Sequence, residues 1–177
     1  MNRGITIIGE NYVQEAEKKK PLITKAVEWH LIGPLQKNKI ARALRIFDVI
    51  ETIDSLSLAS AVNGRAQKKI DILIQVNATG EKTKHGMKPE DVALSVPKIL
   101  RLPNIRLRGI MTMGPTKQDP KQTHAAFALT KSLFDKCRQI CGNTWNILSM
   151  GMSDDYEMAI KCGATQVRLG RLLFADR

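Results

Sequence analysis

Aromatic residues are scarce in this chain of 177 residues, where they make up 5% of the sequence. A buried core therefore has to be built mainly from aliphatic side chains. The sequence also has no apolar run long enough to cross a bilayer, and no charged and then apolar segment typical of a signal peptide. We therefore expect a cytoplasmic protein that does not associate with membranes.

Cysteine is scarcer still, because the chain has only Cys137, Cys141 and Cys162. An odd number of thiols cannot all pair within one chain, which fits the expected cytoplasmic protein. Cys137 and Cys141 lie four residues apart on a predicted helix, and no neighbouring Cys or His completes a metal-binding set. We expect buried thiols and no metal site.

Acidic residues are too few to balance the basic ones, and 17 against 28 leaves a net charge of +11. The basic residues are spread along the whole chain, and the densest run, at 18–20, has no aromatic residues between its lysines. This distribution indicates a solvated basic surface more than a nucleic-acid interface. A basic module that binds nucleic acid or protein remains an alternative function, and steeply salt-dependent duplex binding would support it.

Short apolar or β-branched segments alternate with helical segments along the sequence. The strand-like segments are ITIIGE (5–10), EWHLIG (28–33), DVIETID (48–54), DILIQVN (71–77), RLRGIMTM (106–113), NILSMGM (146–152) and TQVRLG (165–170). This alternation predicts an α/β protein of parallel βαβ units, and no linker interrupts it, so we expect a single domain over 1–177. Seven strands fit either an open doubly wound sheet or a TIM-type barrel that lacks one unit.

Two helix starts are marked by their first residues. Asp119 and Pro120 open a long helix, and Ser153 is expected to cap another, with two aspartates in its first turn. The long helix has apolar residues at three- and four-residue steps, which predicts that one stripe is buried. The stripe comprises Ala126, Leu129, Leu133, Phe134, Cys137 and Ile140.

Polar residues and glycines cluster where the predicted strands end, which is where parallel α/β folds place their chemistry. Ser153 and Gly170 follow the last two strands, and a helix N-terminus after such a turn offers free N–H groups to an anion. Gly151 would let the backbone approach a ligand closely. The side chain of Arg168, on the last strand, is expected to point toward the same site at the strand ends. The alternative is that Arg168 only forms an ordinary salt bridge.

Several longer motifs resemble one known family. They are IGENYVQE (8–15), EWHLIGPLQKNK (28–39), QVNATGEKTKHG (75–86), LRGIMTM (107–113), SMGMSDDYEMAI (149–160) and VRLG (167–170). In this order, they resemble the pyridoxal-phosphate homeostasis proteins, single-domain barrels related to the alanine racemase barrel. The resemblance implies a TIM-type (β/α) barrel, the type III fold of proteins that bind pyridoxal 5′-phosphate (PLP).

The resemblance also implies roles for individual residues. The PLP phosphate is expected on Ser153 and the backbone of Met152, and on Gly170 and the backbone of Arg171. Arg168 resembles the family arginine that faces the pyridine nitrogen, where it weakens the electron sink used in PLP catalysis. Asn11 resembles a residue that lines the pocket. His30 and Asn77 are expected at strand ends near it, with purely structural hydrogen bonds as their alternative role.

The main departure from the family concerns its first strand, which carries the lysine that forms a Schiff base with PLP. No segment here matches that strand, and MNRGITIIGENY matches the region just before the second one. We therefore expect an incomplete barrel truncated at its N-terminus, with PLP held without the covalent bond. None of Lys39, Lys82 and Lys84 is expected to replace the missing lysine.

The expected function is intracellular PLP (vitamin B6) homeostasis, as a carrier or regulator that serves PLP-dependent apo-enzymes. A racemase-like PLP enzyme is the least favoured alternative, because catalysis needs the lysine, a second acid–base group and a covering domain. A barrel without one strand has two unpaired edges, which are prone to pair with other strands. We therefore expect either a monomer or a dimer paired through these edges.

Overall fold

The computed structural model describes residues 4–117 and 119–174. Its seven strands form one parallel sheet in the order in which they occur along the chain. A doubly wound sheet would reverse its strand order at a switch point, so that alternative is excluded. The strands are β1 (Ile7–Glu10), β2 (Glu28–Leu31), β3 (Val49–Ile53), β4 (Ile70–Val76), β5 (Ile105–Thr112), β6 (Ile147–Met152) and β7 (Gln166–Arg168).

The sheet curls into a barrel, as one interior contact demonstrates. β3 and β7 are four strands apart in the order, which in a flat sheet would separate them by roughly 19 Å at about 4.8 Å per strand. Yet Gln166 Nε2 of β7 donates to Glu51 Oε1 of β3 at 2.6 Å. The predicted incomplete TIM-type barrel of seven strands is therefore confirmed. β1 and β7 form the two ends of the sheet and do not pair with each other in the described ranges.

Helices cover the outside of the sheet between successive strands. Within 4–117 and 119–174, no helix is long and apolar enough to cross a membrane. The helices are α1 (Val13–Lys19), α2 (Ile40–Ile46), α3 (Leu56–Arg65), α4 (Pro89–Leu100), α5 (Pro120–Cys141), α6 (Tyr156–Lys161) and α7 (Arg171–Phe174), with short 3-10 turns at Lys20–Leu22, Lys37–Lys39 and Gly142–Thr144.

The core between sheet and helices is mainly aliphatic, as the composition requires. All seven residues of β4 are buried. One aromatic pair supports the long helix, because Trp145 stacks on Phe134 at 5.5 Å between ring centroids and donates Nε1–H to its carbonyl at 2.8 Å. Cys137 is buried beside them, as predicted, and burial raises the pKa of the neighbouring Cys141 thiol to about 12. These thiols stay protonated at neutral pH.

The buried face of α5 differs from the predicted stripe. Leu129 and Ile140 are exposed, while Thr123 and Thr130 lie inside. The two threonines tolerate burial because their hydroxyls donate to carbonyls four residues earlier, at 2.8 and 2.7 Å. Polarity was therefore a poor guide to burial on this helix. The buried residues are Thr123, Ala126, Phe127, Thr130, Phe134 and Cys137.

Ser153 does not cap α6, so the prediction that this helix starts at Ser153 is wrong. α6 begins at Tyr156 with Asp155 as its N-cap residue, and residues 153–155 form a turn. The Ser153 hydroxyl instead accepts a hydrogen bond from the backbone N–H of Leu172, at 3.2 Å. It therefore supports the first turn of α7, on the neighbouring strand–helix unit.

Candidate functional site

The candidate site lies at the carboxyl ends of β6 and β7. These strands pair in parallel, with Met152 opposite Arg168, so the turns that follow them are adjacent. The hydrogen bond from Leu172 to the Ser153 hydroxyl joins the two turns directly. The Ser153 and Gly170 turns therefore lie side by side, as the motif positions predicted.

Carboxylates currently engage donors in these turns. The backbone N–H of Met152 donates to Asp155 Oδ1 at 2.6 Å, and the exposed Arg171 guanidinium pairs with Asp154. The Met152 amide is thus a donor directed at an anionic oxygen. An incoming anion at this amide would compete with Asp155, and Asp154 is already neutralised by Arg171.

The fold requires glycine at only one of two positions in this region, Gly151 and Gly170. Gly151 has a φ of +93°, and an added Cβ would lie 2.5 Å from the Cβ of Ala159, so the close packing of α6 on β6 requires it. A Cβ added at Gly170 would meet no atom within 4 Å, and the φ of Gly170 lies outside the left-handed region. The fold does not require glycine at 170, and open space lies in front of this turn.

Arg168 reaches from β7 into the barrel interior. Its Nη1 donates to Ser149 Oγ at 2.7 Å and its Nη2 to the carbonyl of Thr112 at 2.8 Å. Burial lowers the pKa of Arg168 despite the opposing influence of Glu51 and Asp155. The ordinary salt-bridge alternative is not what the structure shows, since Ser149 stands between the guanidinium and the Glu51 carboxylate.

Glu51 is the centre of this interior network, and the sequence analysis did not single it out. Its carboxylate is fully buried and accepts hydrogen bonds from His30 Nδ1, Ser149 Oγ and Gln166 Nε2, each at 2.6 Å. Burial acts to raise its pKa, but the hydrogen bond from His30 and the charge of Arg168 outweigh it and lower the pKa below the usual value. Glu51 is therefore a carboxylate in the barrel interior.

His30 lies on β2 and is almost completely buried. A carboxylate only accepts hydrogen bonds, so Nδ1 is the donor to Glu51. Burial acts to lower the pKa of His30, but Glu51 and Glu28 outweigh it and raise that pKa. Among the described residues its Nε2 has no hydrogen-bond partner, and it lies 3.6 Å from Glu28 Oε2. His30 thus joins the candidate site through Glu51.

Asn77 and Asn11 lie just beyond the ends of other strands. Asn77 follows β4, and its Nδ2 donates to the carbonyls of Glu81 and Lys84 at 2.9 and 3.3 Å, which organises the loop that it opens. Asn11 follows β1 and is exposed. Its backbone carbonyl oxygen packs against Gly33, where an added Cβ would lie only 2.1 Å from that oxygen. The structure therefore brings five of the predicted residues together at the carboxyl ends of β6 and β7. His30 is connected to them through the barrel interior, and the two asparagines lie elsewhere, after the carboxyl ends of β1 and β4. The five are Met152, Ser153, Arg168, Gly170 and Arg171.

Known proteins resemble this chain over nearly its whole length. The model of the alanine racemase N-terminal domain matches residues 1–177. The pyridoxal phosphate homeostasis protein of Aquifex aeolicus is 39% identical over 180 residues, which cover 99% of this chain and 79% of that protein. The corresponding protein of Haemophilus influenzae is 36% identical over 181 residues, covering 98% of this chain and 76% of that one.

Solved structures extend the comparison to three dimensions. PipY of Synechococcus elongatus, solved with PLP bound, has a TM-score of 0.83 and 32% identity, over 94% of this chain and 80% of PipY. Alanine racemase of Clostridium difficile shares the fold alone, with a TM-score of 0.81 and 16% identity over 98% of this chain and 44% of the racemase. On this sequence and structural similarity, the chain belongs to the pyridoxal phosphate homeostasis proteins, whose barrel is of the alanine racemase N-terminal type.

Proposed function

We propose that this protein binds PLP at the carboxyl ends of β6 and β7 and takes part in intracellular PLP homeostasis as a carrier or regulator. The observation that carries the proposal is the junction of the Ser153 and Gly170 turns, with Arg168 behind them. The relatives are named for PLP homeostasis, and PipY was solved with PLP bound. Residues 1–177 would act as one PLP-binding domain.

The phosphate would be held by the hydroxyl of Ser153, by Gly170, and by the backbone N–H groups of Met152 and Arg171. The open space in front of Gly170 supports this placement, because a phosphate needs close approach to the turn. Asp155 would have to release the Met152 amide when the phosphate binds. The net charge of +11 favours the approach of an anionic cofactor from solution.

The remaining proposed contacts concern the pyridine ring. Arg168 would face the ring nitrogen, and an arginine at that position keeps the nitrogen unprotonated and weakens the electron sink of PLP catalysis. This supports a carrier rather than a catalyst. Asn11, His30 and Asn77 would line or support the pocket from the other strands.

We propose that the 177-residue chain holds PLP without a covalent bond. Its sequence contains no segment that matches the family's lysine-bearing strand. Lys84, the half-buried lysine at the mouth, donates to the carbonyl of Gly114 and forms an ion pair with Glu81 at 3.1 Å. These contacts engage its amine in loop structure, which argues against its use as an anchor.

The proposed partners are PLP itself and the PLP-dependent apo-enzymes that would receive it. Within residues 4–117 and 119–174, β1 and β7 end the sheet, which would leave the hydrogen-bonding groups of their outer edges open to another strand. The chain is therefore proposed to be a monomer or a dimer that pairs through these edges.

The Ser153→Ala variant tests the phosphate site. It removes a neutral hydroxyl that would contact a charged phosphate, and such a hydrogen bond is worth about 1.5–3 kcal/mol, so PLP affinity should fall at least about tenfold. The measurement is a PLP titration followed by cofactor absorbance. Ser132→Ala, on the exposed face of α5, is the matched control and should bind as the wild type does. Equal affinities for both variants would rule out the proposed cradle.

A further inference from the structure

The interior network contains a connection that the proposed function does not use. Ser149 Oγ lies between two charged groups: it donates to Glu51 Oε2 at 2.6 Å and accepts from Arg168 Nη1 at 2.7 Å. A hydroxyl can donate and accept at once, so Ser149 links the negative charge of Glu51 to the positive charge of Arg168 through two hydrogen bonds. Ser149 and Glu51 are both fully buried, which shields this connection from water.

The same contacts fix the direction of the guanidinium. Arg168 makes one hydrogen bond to Ser149 and one, through its other terminal nitrogen, to the carbonyl of Thr112. A planar fork held at two points has little rotational freedom. Glu51 holds the Ser149 hydroxyl proton, so the lone pairs of that oxygen are presented to Arg168 rather than its hydrogen.

Glu51 is itself held on its other sides. His30 and Gln166 donate to the same carboxylate oxygen, both at 2.6 Å, from strands β2 and β7. The carboxylate therefore cannot turn away from Ser149 without losing these bonds. Four strands of the barrel thus contribute to one polar assembly, which comprises His30, Glu51, Ser149, Gln166 and Arg168.

We infer that Glu51 is a positioning residue: through Ser149, it supplies the counter-charge and the orientation that Arg168 needs to face a bound cofactor. The inference rests on the proposed function for the identity of the ligand, but the positioning of Arg168 is a property of the protein alone. Glu51 would not itself touch the cofactor. It would hold the guanidinium of Arg168 in its binding orientation before PLP binds.

The experiment has two readouts, of which the first needs no ligand. In protein with ¹⁵N-labelled arginine, the guanidinium N–H signals of Arg168, assigned by their loss in Arg168→Lys, should be protected from solvent exchange. In Glu51→Gln and in Ser149→Ala this protection should be lost. Ser149→Ala carries the test if Glu51→Gln fails to fold, because it breaks the link without removing a charge.

The second readout is PLP affinity in a double-mutant cycle. Glu51→Gln or Ser149→Ala should weaken PLP binding about five- to tenfold in the wild-type background, and less than about twofold when Arg168 is already alanine. A purely structural role would give similar losses in both backgrounds. Unchanged protection of Arg168 in folded variants would overturn the inference. Absence of PLP binding by the wild type would instead overturn the proposed function and leave the first readout decisive for Glu51.

Discussion

Replacing Gly109 with alanine is expected to destabilise the folded chain severely. Gly109 lies on β5 directly opposite Ile147 of β6, and an added Cβ would lie 1.8 Å from the Ile147 carbonyl oxygen. The obstacle is backbone within the sheet, so relief requires the two strands to separate. We expect a loss of at least about 4 kcal/mol, a large share of the roughly 5–15 kcal/mol that stabilises a typical domain.

The matched control is Gly64→Ala, the same chemical change on α3. There an added Cβ meets nothing within 4 Å, and alanine favours helix, so stability should rise by about 0.5–1 kcal/mol. Urea unfolding followed by circular dichroism compares both variants with the wild type. A Gly109→Ala midpoint equal to that of the wild type would contradict the close approach of β5 and β6.

The second large effect is expected from Arg168→Ala, which should lower both PLP affinity and stability. A charged hydrogen bond to the ring nitrogen is worth about 1.5–3 kcal/mol, so affinity should fall between about tenfold and a hundredfold. In the interior, Ser149 and the Thr112 carbonyl would lose their donor and Glu51 a nearby positive charge, which we expect to cost about 1–3 kcal/mol of folding stability. Isothermal titration with PLP and urea unfolding measure the two quantities separately.

Arg171→Ala is the control for this variant, because it removes the same charge three residues later. Its side chain is exposed and pairs with Asp154 at the surface, where such a pair contributes about 0–1 kcal/mol. The proposed phosphate contact uses the backbone of Arg171, so PLP affinity should change less than about threefold. If the two variants lose affinity equally, general electrostatic attraction accounts for the effect and Arg168 has no specific role.

The strand pattern predicted parallel βαβ units and the meeting of the Ser153 and Gly170 turns, but it left an open sheet and a barrel as alternatives, and the family resemblance favoured the barrel. Apolar segments at regular spacing identify strands from local residues alone, and β4 at Ile70–Val76 matches its predicted segment within one residue. Parallel strands end at the same edge, so turns after consecutive strands become neighbours without further information. The family resemblance then pointed to the same two turns.

The interior network was not predictable in this way, because its members are far apart in sequence. Glu51 bonds with Ser149 and Gln166, which lie 98 and 115 residues further along the chain. The one local signal was an acidic residue inside the otherwise apolar strand VIETI, and such a residue needs a buried partner that the strand does not reveal. The helix start at Ser153 failed for the same reason, since its hydroxyl serves α7 and not α6.

The most direct test of the central claim is equilibrium dialysis of the 177-residue protein against PLP and, separately, against pyridoxal, which lacks the phosphate. The account predicts saturable binding of one PLP per chain, with pyridoxal bound at least about tenfold more weakly because the Ser153 and Gly170 turns hold the phosphate. Equal affinity for the two compounds, or no saturable binding of PLP, would contradict it.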